Sequence, residues 1–545
     1  MTHFIFDRTF HPDEANQAFT VGKLLETGVY TYKPTDHHGP TLYYAAAPLQ
    51  QAFGHHTTAQ LDGTLLRCTP LVFAVAGLVF LYLAVLRLVR RVTGLMGWKS
   101  FALPLLPVVL LGTAPLFVFY ATDFIQEMLL VCFTLMMFWA GTGYFLPGKR
   151  LKRGTWALLF GIAAGLAFAT KETCVLAFAA FFGAALPFLV SHFRRTRTLP
   201  FRTNDIVLGL MGGLLTAVIL FSSFAQDWNG VYNAFVAAPL SYVHRAAGDA
   251  ASEGAAWHVH PWWQHLQWLF LGNSGKLDKF GVRWDQFQNL KPLIYWLLLL
   301  LPCGLVTLFR KPFQQGEHSN RPLLCTFLGA SLYTVLILVF YSAIPYKTPW
   351  CTLQILVPYL VSVGLGYLLV YDFFRDRIFS RTTRLARFVG PLMLLVTLPL
   401  SMVQEHVPGL RLLARAPDSP HIPYNYAHSS PEVRELADCV ANAIAQTHNK
   451  ARTESSSESA QHPFIAVALP ATDTWPFPFY NRTLESITGY WTRFEDLIAL
   501  EKNGCKPTVV IVPMAEGHLA QALFPYLKNT RRFYMRPGVR VRVFW

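Results

Sequence analysis

Leu65-Leu-Arg-Cys-Thr-Pro-Leu-Val-Phe-Ala-Val-Ala-Gly-Leu-Val-Phe-Leu-Tyr-Leu-Ala-Val-Leu86 is an overwhelmingly apolar stretch that runs straight into Arg87, Arg90 and Arg91. At about 1.5 Å per helical residue its 22 residues cross a hydrocarbon core about 30 Å thick. Nine further stretches of this kind follow, over 101–120, 124–146, 155–170, 173–191, 205–225, 292–309, 322–341, 350–370 and 388–404. The composition agrees, because 53% hydrophobic and 14% charged residues with a positive mean hydropathy lie far from the roughly 25% charged residues of soluble domains. The sequence therefore predicts a polytopic α-helical membrane protein with about ten transmembrane helices.

The net charge of +15 sits in short loops between spans, not on one soluble face, which argues against nucleic acid as a partner. Arg87, Arg90, Arg91 and Lys99 follow the first span, Lys149, Arg150, Lys152 and Arg153 the third, and Arg194, Arg195, Arg197 and Arg202 the fifth. Arg310, Lys311 and Arg321 follow the seventh, and Arg375, Arg377, Arg381, Arg384 and Arg387 the ninth. The intervening short loops carry only Lys171 and Lys347, so the positive-inside rule puts the first set in the cytoplasm. Residues 1–64, the loop 226–291 and the C-terminal tail then face outward. The eight cysteines show no metal-ligand spacing. Cys439 and Cys505 share the outward tail, where an oxidising compartment would permit a disulfide.

Three regions are expected. Residues 1–64 form a first outward loop, with an interfacial helix over Thr41–Phe53 that places Tyr43 and Tyr44 near the headgroups. Residues 65–404 form the transmembrane domain, whose loop 226–291 carries Trp257, Trp262, Trp263, Trp268 and Trp284, suited to the membrane boundary or to a sugar-binding face. Residues 405–545 read as a small extracytoplasmic α/β domain. Helices are expected over Pro431–Ala445, Phe494–Lys502 and Glu516–Phe524, and strands over Pro463–Leu469, Thr508–Val512 and Val539–Trp545. Arg452–His462 reads as a mobile loop, and Trp475, Phe477, Phe479 and Tyr480 as a surface that docks an acceptor. No glycine-rich nucleotide fingerprint or P-loop is present, so a nucleotide-sugar donor has no visible site. No apolar segment precedes the first motif; an outward segment of 64 residues is expected to follow an upstream helix or to be carried across by the later spans.

Four motifs converge on the outward face. Asp7-Arg-Thr-Phe-His11-Pro-Asp13-Glu14-Ala15 is followed by Tyr30-Thr-Tyr-Lys-Pro-Thr-Asp36-His37-His38-Gly-Pro-Thr-Leu-Tyr-Tyr44. Asp13 and Glu14 could supply a general base, which needs an oxygen within about 3 Å of the proton it takes, or could cap a helix starting after Pro12. Spacing leaves both readings open. In Tyr120-Ala-Thr-Asp123-Phe-Ile-Gln-Glu127 the two acids are expected one turn apart on one helix face, with Glu127 inside the third span. Carboxylates at such depth cost about 2.5–3.5 kcal/mol and point to a cavity or a partner, an interfacial cap being the other reading. Ala169-Thr-Lys171-Glu172-Thr173 and Tyr341-Ser-Ala-Ile-Pro-Tyr346-Lys347-Thr-Pro-Trp350 each put an isolated cation on the face poor in basic charge. A lipid phosphate would reward that placement. Lys171 could instead pair with Glu172, and either lysine could snorkel.

His11-Pro-Asp-Glu-Ala15, His38-Gly-Pro-Thr-Leu-Tyr-Tyr44, Lys347-Thr-Pro-Trp350 and the later Pro423-Tyr-Asn-Tyr-Ala-His428-Ser429 carry a family resemblance. The chain resembles the polytopic GT-C glycosyltransferases, of the glycosyltransferase 39, protein O-mannosyltransferase and aminoarabinose lipid A transferase type. More narrowly it is similar to archaeal and bacterial membrane proteins described as flippase-activity-associated. The resemblance implies a GT-C fold, a polyprenyl-phosphate-linked sugar as donor, and a lipid or protein acceptor at the outer face of a prokaryotic cell membrane. It implies Asp13 as the base with Glu14 beside it, Asp123 as a second acid, and Lys347, with Tyr346 and Lys171, at the donor phosphate. His11, His37, His38 and Glu127 would orient the acceptor or a divalent metal ion. Such families also carry a membrane helix before the first-loop acid. The competing reading is a non-enzymatic lipid-linked sugar flippase or flippase-associated protein, which repeated halves would favour; the sequence contains no internal repeat.

Overall fold

The computed structural model describes residues 5–34, 38–92, 99–148, 151–240, 258–271, 321–377, 400, 403, 404, 406–418, 422, 428–453 and 463–545. The spans expected at 292–309 and 388–404, His37, Trp257, Trp284, residues 423–427 and the loop around 454–462 fall wholly or largely outside these residues.

Two helices precede the first span. Helix α1 (Pro12–Thr27) opens on Pro12 and closes at Gly28 in the left-handed conformation, with Gly28 N donating to Leu24 O at 2.9 Å. Helix α2 is Thr41–Ala52. Tyr43, expected at the headgroups, is instead fully buried where α2 packs against α1, its ring 4.9 Å from Tyr30 and its hydroxyl bonded to Gln17.

Among the described residues six helices are long and apolar enough to cross a membrane. They are α3 (Gly63–Val92), α4 (Glu127–Phe145), α6 (Cys174–Thr196), α7 (Thr203–Phe221), α8 (Arg321–Ala343) and α9 (Leu353–Arg377). The shorter apolar α5 (Arg153–Phe168) lies between α4 and α6. The stretch expected as one span over 101–120 is broken into Lys99–Ala102, Leu105–Gly112 and Pro115–Tyr120. Pro104 precedes the second piece and Pro115 begins the third, and proline cannot continue a helix without losing a backbone bond.

Burial separates centre from periphery. The apolar window of α9 is 83% buried and that of α4 67%, against 22% for α6 and for α7. The outer helices turn Phe182, Leu186, Leu210, Met211 and Leu214 outward, as a lipid-facing surface must. Helices α5 and α7 meet at glycines: a Cβ at Gly161 would overlap the Gly209 carbonyl, and one at Gly165 the Gly213 carbonyl. Backbones approach this closely only across small residues. Gly161→Val should therefore lower stability by about 1–3 kcal/mol, read as a lower thermal midpoint in detergent; an unchanged midpoint would mean that this contact is slack.

Beyond the spans, α10 (Glu432–Thr453) covers a five-stranded sheet built from β1 (Ile465–Ala468), β2 (Thr488–Trp491), β3 (Val509–Pro513), β4 (Thr530–Arg536) and β5 (Val539–Phe544). The order is β2-β1-β3-β5-β4, with β1 parallel to β2 and β3, and β5 antiparallel to β3 and β4. Val433, Leu436 and Val440 pack on one face with Val467, Ile511 and Val541. Helices α11 (Glu495–Lys502) and α12 (Gly517–Leu523) cover the other. Cys439 and Cys505 are separate free thiols.

The small domain is fastened to the first loop. Phe10 stacks on Phe479 at 4.2 Å, its N donates to the Tyr480 hydroxyl at 2.9 Å, Trp475 meets Phe19 edge-on at 5.4 Å, and Arg482 reaches Leu61 O at 2.7 Å. The aromatics expected to receive an acceptor are thus spent: Phe477 and Phe479 are buried, and this cluster holds residues 7–20 in place.

Candidate active site

Residues 7–14 hang from one arginine of the first span. Arg67, fully buried, donates through Nη1 to Phe6 O at 2.8 Å and Arg8 O at 2.5 Å, and through Nη2 to Thr9 O at 3.3 Å. Its remaining edge grips Glu14, Nε to Oε1 at 2.8 Å and Nη2 to Oε2 at 2.6 Å. Such a two-bond fork is the strongest arrangement an arginine and a carboxylate can make.

Glu14 is consumed by this role. Its Oε2 also accepts from His11 N at 3.0 Å, closing the N-terminus of α1, and its Oε1 accepts from Phe124 N at 2.9 Å. Burial opposes the charge, yet Arg67, Arg8 and these bonds hold the carboxyl far below the ordinary range. The two readings of the acidic pair are therefore divided between neighbours: Glu14 takes the cap. Asp13 N donates to His11 Nδ1 at 3.1 Å, whereas its side chain stays half-exposed, its only ion-pair contact among the described residues being His11 Nδ1 at 3.8 Å.

Asp123 meets this assembly from the other side of the sequence gap. Arg8, itself buried over the Phe119 ring at 4.1 Å, donates through Nη2 to Asp123 Oδ1 at 2.9 Å. Burial and then the Glu14 charge push the Asp123 carboxyl well above its usual range, with Arg8 pulling against them. The expectation that Asp123 and Glu127 share a helix face is corrected: α4 begins at Glu127, and Asp123 sits in the turns before it. Helical spacing does not apply to a residue outside the helix. The result is a narrow cleft lined by Arg8, His11, Asp13, Phe119, Asp123, Ile125, Trp350 and His428. Trp350 brings the late-loop motif to it, edge-on to His11 at 5.9 Å.

The cations lie elsewhere. Lys171 is not isolated, as its motif suggested, nor paired with Glu172; it makes a buried ion pair with Glu127. Burial disfavours its charge, but Glu127 outweighs that and holds the ammonium above its ordinary range. Glu172 turns the opposite way, accepting from Tyr32 OH at 2.7 Å and facing His38 Nδ1 at 3.0 Å. Burial works against this carboxylate too, but His38 and the two hydrogen bonds hold it down to about 2. Lys347 is buried and bonds to the carbonyls of Ile344 and His260, in a segment bridged to Val259 through Tyr346. Tyr346 is half-exposed against the His258 ring at 4.6 Å. No carboxylate pairs with Lys347 among the described residues, where its ammonium meets only the carbonyl dipoles of Ile344 and His260.

Of the residues expected to act together, His11, Asp13 and Asp123 share the cleft, with Glu14 beneath it. Glu127 with Lys171, and His38 with Glu172, form two separate pairs. Among the described residues no three His, Cys, Asp or Glu side chains are grouped to hold a metal ion; of the residues expected to orient one, His11 lines the cleft, His38 faces Glu172, Glu127 pairs with Lys171, and His37 lies outside the described residues. Arg8 and His428, quoted only as members of their motifs, and Arg67 carry parts of the site to which no role was assigned. Arg67 had a signal, a charge inside an apolar run.

No family model matches the sequence, and no curated protein matches it. The structure is similar to that of ArnT from Cupriavidus metallidurans bound to undecaprenyl phosphate, with a TM-score of 0.57 and 14% identity over 98% of this chain and 94% of that one. The apo state of the same protein gives 0.55 at 15% identity over the same shares. The archaeal oligosaccharyltransferase AglB from Archaeoglobus fulgidus, in complex with an inhibitory peptide and a dolichol-phosphate, gives 0.50 at 11% identity over 97% of this chain and 71% of that one.

Proposed function

We propose that this chain, which has the GT-C membrane fold, is a glycosyltransferase that moves a sugar from a polyprenyl-phosphate donor to an acceptor hydroxyl outside the cytoplasm of a prokaryotic cell. The observation that carries the reading is the open Asp13 carboxylate in a cleft with Asp123 and Trp350, above a Glu14 that is fully committed to Arg67. A half-exposed carboxylate not neutralised by a buried partner is what a proton acceptor needs.

In the proposed reaction the acceptor oxygen attacks the anomeric carbon and its proton passes to Asp13. The bond from that carbon to the phosphate oxygen breaks, and its electron pair leaves on the polyprenyl phosphate. Lys347 is the cation assigned to that phosphate. Among the described residues two of its three N–H groups go to carbonyls, which orient the ammonium without neutralising it, and leave the third for an oxygen. Burial draws its pKa below the ordinary range, an effect that an arriving phosphate would reverse. Lys171, neutralised by Glu127, is assigned to positioning α4 beside the site, and Glu14 to positioning Asp13 through α1.

Lys347→Met should cut sugar transfer from a labelled polyprenyl-phosphate donor by about 10²–10³-fold, with little change in thermal midpoint. Lys171→Met, which strands a buried Glu127, should lower both. Full transfer by Lys347→Met would remove the lysine from the phosphate. Donor binding with no transfer by the wild-type chain would favour the flippase-associated reading.

A further inference from the structure

Behind the acidic cleft lies a pair of side chains contributed by the segment that follows the last span. His428 Nε2 and Asp418 Oδ1 are 2.8 Å apart, and the same Asp418 oxygen accepts from Thr9 N at 2.8 Å. His428 is among the residues lining the cleft with Arg8, His11, Asp13, Asp123 and Trp350. Just after His428, Ser430 N donates to Met535 O of β4 at 2.7 Å, and Arg434 of α10 reaches Asp7 O.

A carboxylate on one imidazole nitrogen settles where the ring carries its proton. With Nε2–H given to Asp418, a neutral ring has a bare lone pair on Nδ1, and among the described residues nothing is bonded to that atom. Burial, with Arg8 and His11 adding to it and Asp418 resisting, brings His428 down to about 4, so the ring is neutral near pH 7. A neutral imidazole locked in this tautomer accepts a hydrogen bond from the cleft and cannot donate one.

We propose that the Asp418–His428 pair is a sugar-recognition site, in which His428 Nδ1 accepts a hydrogen bond from an O–H or N–H of the sugar carried by the lipid donor while Asp13 serves the reacting oxygen. This rests on the glycosyltransferase reading for the identity of the ligand. It adds a selection rule: the sugar needs a hydrogen-bond donor facing His428 Nδ1, and Asp418, which holds the ring and the Thr9 amide but does not line the cleft, is a positioning residue.

Two amides separate recognition from mere structure. Gln at 428 can keep the donation to Asp418 but has nothing at the Nδ1 position; Asn at 428 places its oxygen near Nδ1 and gives up Asp418. The measurement is the affinity of purified full-length wild type, His428→Gln and His428→Asn for undecaprenyl phosphate and for a panel of its pentosyl, hexosyl and aminosugar forms. Wild type should prefer at least one sugar-bearing lipid, His428→Gln should lose roughly fivefold to tenfold of that preference, and His428→Asn should keep most of it, with the bare lipid bound equally by all three. Preference kept in Gln and lost in Asn would make the pair a structural strut and overturn the proposal, as would a wild type that favours none of the sugars. Because the readout is binding, a wild type that discriminates sugars yet transfers none would sink the enzymatic reading and leave this one standing.

Discussion

Asp13→Asn should lower transfer by about 10²–10⁴-fold, the usual worth of a positioned general base, while leaving the fold intact. The side chain is half-exposed and lies in the first turn of α1, where loss of its charge costs only about 0.3–1 kcal/mol through the helix dipole. The amide keeps size and shape, and the Asp13 N to His11 Nδ1 bond does not involve the carboxyl. Activity and stability should therefore separate: nearly complete loss of product from labelled donor, with a thermal midpoint close to wild type. A helix-capping role predicts the reverse, a small loss of stability with transfer retained, and that outcome would remove Asp13 from the chemistry.

The second large effect is structural and falls on Arg67. Met at this position has similar reach but leaves Glu14 buried without its partner, and strips a donor from the carbonyls of Phe6, Arg8 and Thr9. Breaking one side of a buried pair costs about 3–5 kcal/mol, so Arg67→Met should unfold at markedly lower temperature and accumulate poorly. Glu14→Leu combined with Arg67→Met removes both charges and should recover much of that stability, since it is the stranded charge that is expensive. It should not recover transfer, because α1 would then lack the bonds from His11 N and Phe124 N that aim Asp13 and fix the Asp123 turn. Equal midpoints for the single and double variants would show that the pair contributes little to the fold.

The spans were legible because lipid demands long apolar runs, and eight of the ten expected stretches coincide with described apolar helices or, at 101–120, a broken series of them. The failure at 101–120 was readable in Pro104 and Pro115, which a hydropathy average hides. In the small domain the buried strands β1, β3 and β5 were found by pattern, whereas β2 and β4 were not. Both are sheet edges, and Thr488-Gly-Tyr-Trp491 and Thr530-Arg-Arg-Phe-Tyr-Met-Arg536 are too polar or too short to alternate clearly.

At the site, sequence singled out the acidic residues but not their division of labour. Asp13 and Glu14 are neighbours with the same chemistry, and only the position of Arg67, 53 residues from Glu14, decides which one is buried. The pairing of Lys171 with Glu127 in place of the adjacent Glu172 is likewise set by packing. Asp418 meets Thr9 across 409 residues, a contact that no local pattern announces.

The central claim is that lipid phosphate leaves as sugar is transferred. Purified protein in lipid vesicles, given doubly labelled polyprenyl-phosphate sugar and a hydroxyl-bearing acceptor extract, should release one polyprenyl phosphate for each sugar that appears on the acceptor, and none of either with Asp13→Asn. Donor that binds or crosses the bilayer with its sugar still attached, in wild type and variant alike, would contradict it.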